Sequence, residues 1–191
     1  MKTFILGCND RASLIVSREL SKLNSEIEII SFSSKCIALK SKSVNKFHLI
    51  QNHENIDKIF KEVIELVEKG SFVIPINDYF LTLVLNFFDE FKEKVIIPYK
   101  SKSSIIKMID KYQLIKDSKK SGISTPNSIL IKSFNSFNKL EFGKLIFPVI
   151  LKPRFSCVIQ NNRIISTSVK KINNIKDLEM HIRLNIGLVE I

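Results

Sequence analysis

The sequence predicts an α/β fold: a small doubly wound parallel sheet of Rossmann-like type over residues 1–100, followed by an α+β lobe over residues 101–191. Three observations carry this reading. Over the first hundred residues, apolar runs of four or five residues alternate with amphipathic stretches of about twelve. That is the pattern of buried parallel strands joined by crossover helices. After Pro98 the strict alternation stops and the order becomes strand, strand, helix, strand, which indicates a second domain of different build. Hydrophobic residues make up 45% of the 191 residues, enough to bury a sizeable core.

Thr3–Leu6 is a short apolar run that enters Gly7 and reads as a buried strand opening into a turn. Asn9 or Asp10 caps a helix over residues 11–23, with Leu14, Ile15, Arg18 and Leu20 at helical spacing. Residues 26–30 form the second strand and residues 47–50 the third. Asn55 then caps an amphipathic helix in which Ile59, Val63, Leu66 and Val67 share one face; Gly70 follows it, where a left-handed residue is wanted. Residues 72–76 are the fourth strand, Asn77 or Asp78 caps one helix over residues 79–91, and residues 95–98 are the fifth strand.

Ser101 or Ser103 starts a helix through Ile109, and Asp110-Lys111 opens another that stops at Ser121-Gly122. Pro126 breaks the chain, and strands are expected over residues 128–131, 147–153 and 163–172. Asn173-Asn174 caps a helix over residues 175–184, and Leu188–Ile191 reads as a strand beginning.

Charge is divided unequally between these halves. Lys plus Arg number 30 against 19 Asp plus Glu, a formal net charge of +11. Residues 1–100 hold 14 basic and 13 acidic residues, whereas residues 101–191 hold 16 and 6. A basic half suggests an anionic partner, phosphate or nucleic acid. The 25 lysines against 5 arginines reflect residue usage and leave the asymmetry unexplained, because exchanging Lys for Arg does not change charge. Cys8, Cys36 and Cys157 are too few and too scattered for a disulfide framework or a CxxC metal pattern, so a reducing, cytoplasmic setting is expected. No apolar run approaches the roughly 20 residues that a membrane span needs.

The first strand turn, Gly7-Cys8-Asn9-Asp10-Arg11, has one glycine where the dinucleotide fingerprint has three, which argues against a nicotinamide site. Ligands of doubly wound sheets lie at the carboxyl ends of the strands, so Gly7, Asn9 and Arg11 are the expected substrate-side residues. His48, His53 and His181 have no metal-ligand spacing to one another or to the cysteines. Asp78 is expected to serve the helix start rather than a substrate.

Two motifs in the second half belong together. Asp110-Lys111 opens a helix that runs into Gly122-Ile123-Ser124-Thr125-Pro126, and Phe147-Pro148-Val149-Ile150-Leu151-Lys152-Pro153 follows. This arrangement, behind an α/β domain, resembles the ATP-grasp superfamily. The flavour is that of the carbamoyl-phosphate synthase large chain and ATP-grasp proteins similar to it. Residues 1–100 look like the pre-ATP-grasp domain and residues 101–191 like the N-terminal lobe of the ATP-grasp domain. The physical requirement agrees: a nucleoside triphosphate brings about four negative charges, which need cations on rigid elements.

The resemblance implies that Lys111 contacts the phosphates and that Lys152 reaches the α-phosphate and the adenine edge. Arg154 and Ser156 are the further phosphate donors it suggests, and Glu190 lies in the strand that resembles the adenine hinge. It implies ATP with Mg²⁺ and a small carboxylate substrate. The reaction implied is an ADP-forming carboxylate–amine, or carboxylate–ammonia, ligation through an acyl phosphate. A second chain is an expected partner, either a separate C-terminal ATP-grasp chain or a second copy in a homodimer. Neither a membrane nor nucleic acid is expected.

Two departures qualify the match. The stretch after Lys152, residues 154–162, holds no glycine, where the family has a glycine-rich loop over the phosphates. Asn161-Asn162 is suited instead to a tight hairpin turn. The sequence ends at Ile191, before the second lobe on which the resemblance places the Mg²⁺ ligands, so the chain is expected to be incomplete and inactive alone. The rival reading is a non-catalytic basic module for nucleic acid or another polyanion, with Phe134, Phe137, Phe142 and Phe155 as stacking residues.

Overall fold

The computed structural model describes residues 1–8, 11–131 and 146–185. It divides into two compact units. The first comprises residues 1–104 together with 157–165, and the second residues 105–156 together with 166–191.

In the first unit, β1 (Lys2–Leu6), β2 (Glu26–Ser31), β3 (Lys46–Leu49) and β4 (Phe72–Pro75) form a parallel sheet of order β3-β2-β1-β4. The helices that join them are α1 (Arg11–Ser21) and α2 (Ile56–Leu66), with a 3-10 turn at Ile37–Lys40 between β2 and β3. The alternation in the sequence therefore becomes the parallel α/β domain expected of it. The expected fifth strand shrinks to one parallel bridge between Phe72 and Ile96. There Ile96 N–H donates to Ser71 O and Val73 N–H donates to Ile96 O, both at 2.9 Å.

Period-two side-chain alternation sorts the sheet residues onto two faces. Ile5, Ile27 and Ile29 join Cys8, Cys36 and Ala38, with Leu14 and Leu20 of α1 packed against them. The register sets Phe4 beside Glu28 and Ile30 beside His48 on the opposite face. Glu28 is a buried carboxylate, 4% exposed. It is hydrogen-bonded to His48 Nε2 and paired with Lys2 Nζ at 2.9 Å. Burial pushes its pKa up, but the hydrogen bonds from His48 and Lys2 prevail and hold it below the ordinary carboxylate value.

Helix boundaries follow their caps. Asn55 Oδ1 accepts the Asp57 and Lys58 N–H groups, and Asn77 Oδ1 accepts that of Phe80. The single helix expected over residues 79–91 is two, α3 (Asp78–Asn86) and α4 (Phe88–Lys94). At the break, Phe87 leaves helical geometry with ψ 39° and stacks on Phe60 of α2, with centroids 4.1 Å apart. Aromatic stacking and core burial at Phe88 and Phe91 override the helical periodicity here.

The first unit also holds β6 (Cys157–Gln160) and most of β7 (Arg163–Ser166), which pair as a two-stranded sheet. Asn161 and Asn162 take φ 48° and 60°, the left-handed pair that a tight hairpin turn demands. The tip caps α2: Ile56 N–H donates to Asn162 O at 2.9 Å, and Asn162 Nδ2 donates to Asp57 Oδ2 at 2.7 Å.

The second unit contains most of α5 (Lys102–Ile109), α6 (Lys111–Lys120), β5 (Val149–Leu151), β8 (Lys170–Ile172) and α7 (Ile175–Asn185). β5 pairs antiparallel with β8, Val149 opposite Ile172. Ile172, Leu178 and Ile182 form its core, with Ile131, Phe147, Val149 and Leu151 against them. Asn174 Oδ1 caps α7 by accepting Asp177 N–H at 2.9 Å. Gly122 has φ 74° past the end of α6, as a helix stop requires.

Two strand expectations are corrected. Residues 128–131 are irregular, and the described partner of β5 is β8 rather than this segment. Residues 163–172 are not one strand but β7 and β8, which belong to different sheets. Leu188–Ile191 lies outside the described residues.

Candidate functional site

The site is built at the start of α6. Asp110 Oδ1 accepts the N–H groups of Tyr112 and Gln113, both at 3.1 Å, and so caps the helix. The same carboxylate, 3% exposed, receives Arg154 Nε at 2.9 Å on Oδ1 and Arg154 Nη2 on Oδ2. This two-point fork is the strongest common geometry for a guanidinium and a carboxylate. The Arg154 guanidinium holds the Asp110 carboxyl well below the ordinary carboxylate value, against burial, which raises it. It also lies 5.5 Å from the Phe155 ring centroid.

Lys111 is the next residue. Its backbone N–H donates to Arg154 O at 3.1 Å, and its Nζ donates to Ser156 Oγ at 2.9 Å. Thr167 fastens the same segment from the other side: its Oγ1 donates to Phe155 O at 2.7 Å and its N–H to Ser156 O at 2.8 Å. Lys152 is exposed at the end of β5, two residues before Arg154 and fixed in direction by Pro153. The structure thus brings Lys111, Arg154 and Ser156 together, with Lys152 on the same segment.

These residues can offer an anion two ammonium groups and a hydroxyl on elements tied to one another. Arg154, suggested as a phosphate donor, directs its Nε and Nη2 at Asp110. Sequence reasoning read Asp110 as the start of the helix and missed this second use. The only signal was an acidic cap and an arginine of opposite charge 44 residues away, which spacing alone cannot join. Thr167 was missed as well, since its contacts are to backbone carbonyls. Glu190 lies outside the described residues.

At the expected substrate-side turn, Gly7 has φ 100°, and its N–H donates to Ile30 O at 2.8 Å. A Cβ there would stand 2.5 Å from Asn77 Nδ2. The glycine is required because the Asn77 amide fills the space beside it. Arg11 is exposed at the first position of α1, and Asn9 lies outside the described residues. Beside this turn, Phe32 follows β2 and meets three rings: it stacks on Phe80 and approaches Tyr79 and His53, with centroids 5.1–5.2 Å away. This ring cluster carried no periodic signal in the sequence.

Among the described residues, no three His, Cys, Asp or Glu side chains gather to hold a metal. No helix among the described residues is long and apolar enough to cross a membrane. Of the rival's stacking residues, Phe134, Phe137 and Phe142 lie outside the described residues.

No family model matches the chain, and no curated protein matches it. Solved structures do. It is similar to N5-carboxyaminoimidazole synthetase from Staphylococcus aureus complexed with ADP, with TM-score 0.64 and 17% identity over 98% of this chain and 45% of that one. L-amino acid ligase from Bacillus licheniformis gives 0.59 and 15% over 96% and 42%. The biotin carboxylase domain of Hydrogenobacter thermophilus 2-oxoglutarate carboxylase, in complex with MgADP, ADP and bicarbonate, gives 0.57 and 15% over 94% and 39%. The chain has the fold of the N-terminal part of these ATP-grasp enzymes and spans less than half of their length.

Proposed function

We propose, taking that fold as the premise, that the chain supplies the phosphate-holding lobe and the adjoining α/β domain of an ATP-dependent ligase. The observation that carries this is the pairing of Lys111 with Ser156 on a segment that also bears Lys152. Bound ATP would supply the phosphoryl group that activates a substrate carboxylate. The chain's own residues bind and orient: Lys111 and Lys152 oppose the phosphate charge, and the Ser156 hydroxyl yields its place on Lys111 Nζ to a phosphate oxygen. Gly7, Asn9 and Arg11 are assigned to the small carboxylate substrate.

The overall reaction in this reading is an ADP-forming carboxylate–amine or carboxylate–ammonia ligation through an acyl phosphate. The Mg²⁺ ligands are assigned to a further ATP-grasp lobe, on a longer form of this chain or on a separate one, and Glu190 is assigned to the nucleotide. A homodimer is compatible with the same division of the site.

The test is a calorimetric titration of ADP into the full chain. Saturable binding is expected, and Lys152→Ala should weaken it about tenfold, as loss of one charge-assisted contact does. Affinity that is unchanged in Lys152→Ala and Lys111→Ala would remove the assignment. Addition of a polypeptide bearing the further lobe should then give carboxylate-dependent ADP release, absent with either chain alone.

A further inference from the structure

We infer that Asp110 is a positioning residue for Lys111, acting through Arg154 and the segment that ends at Ser156. This deepens the nucleotide reading above and rests on it.

A helix cap needs one side-chain oxygen, and Ser, Thr or Asn serves as well as Asp. Asp110 does more. Its Oδ1 already holds the Tyr112 and Gln113 N–H groups, and both oxygens are then engaged by the Arg154 fork. Capping has no need of a guanidinium. What the fork accomplishes is to fix the backbone of residue 154 beside the first turn of α6. There Arg154 O receives the Lys111 N–H. Two residues on, Ser156 Oγ meets Lys111 Nζ at 2.9 Å, while Thr167 holds the Phe155 and Ser156 carbonyls. A lysine on a first helical turn otherwise explores many rotamers. Here one acceptor stands at a defined place, and that place is set by the Asp110–Arg154 pair.

The pair also protects the charge of Lys111. A bare carboxylate next to a phosphate-binding lysine would repel the ligand and attract the ammonium. Arg154 neutralises Asp110 in place, so the Lys111 charge stays available to an anion. The absence of glycine from residues 154–162 fits this arrangement. The segment after Lys152 is fastened by side chains rather than kept pliable.

The test uses the full chain and two conservative variants. Asp110→Asn keeps an oxygen for the cap and loses the charge pair. Arg154→Lys keeps the charge and loses the fork. The reactivity of the Lys111 amine toward an amine-acylating ester is read by peptide mass spectrometry, relative to Lys116 and Lys119, which are exposed on the same helix. In both variants, relative labelling of Lys111 is expected to rise about fivefold, as it should in Ser156→Ala, and ADP affinity to fall about tenfold. An unchanged Lys111 ratio in Asp110→Asn, or an equal rise at all three lysines, would overturn the positioning role. Absence of ADP binding by the unsubstituted chain would overturn the nucleotide reading instead, and the labelling ratio would still decide the role of Asp110.

Discussion

Arg154→Met is expected to lower the unfolding free energy by about 3 kcal/mol at neutral pH, because it strands a buried carboxylate without its partner. Asp110 is almost inaccessible, while the Arg154 side chain retains 32% exposure. The loss should therefore fall at the low end of the range for broken buried pairs. Replacing Asp110 with Ala removes the buried charge itself and should cost less than stranding it, apart from the lost cap.

The pH dependence gives the prediction its signature. In the unsubstituted chain the folded pKa of Asp110 lies below its ordinary value of 3.8, with the Arg154 hydrogen bonds as the largest cause. The unfolded state then binds the proton first as pH falls. The stabilisation is complete above 3.8 and is lost as pH falls through the lowered folded value. In Arg154→Met the largest cause that lowers the Asp110 pKa is gone while burial, which raises it, remains, so the penalty shrinks as Asp110 takes up a proton. Urea denaturation of the two proteins at neutral and acid pH should give curves that converge toward acid. Parallel curves, or a difference below about 1 kcal/mol at neutral pH, would show that the fork contributes little.

Gly7→Ala is expected to cost about 2–4 kcal/mol, combining a left-handed backbone with a steric conflict. The conflict is specific. The new Cβ would lie 2.5 Å from Asn77 Nδ2, and the Asn77 amide cannot withdraw freely, since its Oδ1 holds Phe80 N–H at 3.0 Å as the cap of α3. Asn77→Gly in the same chain should recover the steric part and leave the backbone part. Thermal melts of the single and double variants separate the two. A single variant as stable as the parent would mean that the turn after β1 is looser than this geometry.

The α/β half of the fold was legible because its signals are local. Apolar runs, Asn caps and glycines past helix ends each report on their own few residues, and the parallel sheet follows from their alternation. The single helix over residues 79–91 failed where Phe87 turns to stack on Phe60, a contact between elements that no period encodes. The second half was harder for the same reason. β6 was invisible because half-buried strands with polar termini lack a clear alternation, although the Asn161-Asn162 turn beside it was read correctly. At the proposed site, Lys111 and Lys152 were singled out through motif frames. The Arg154 pairing of Asp110 and the contacts of Thr167 were not legible, because their partners are distant in sequence or are backbone atoms.

In the proposed function, the start of α6 and residues 152–156 hold the phosphates of a nucleotide. The most direct measurement is an amide chemical-shift map of the full, isotope-labelled chain titrated with ADP. Saturable shifts are expected to concentrate at Lys111, Tyr112 and residues 154–156 and to be lost in Lys111→Ala. Shifts that spare these amides, or that persist undiminished in Lys111→Ala, would contradict it.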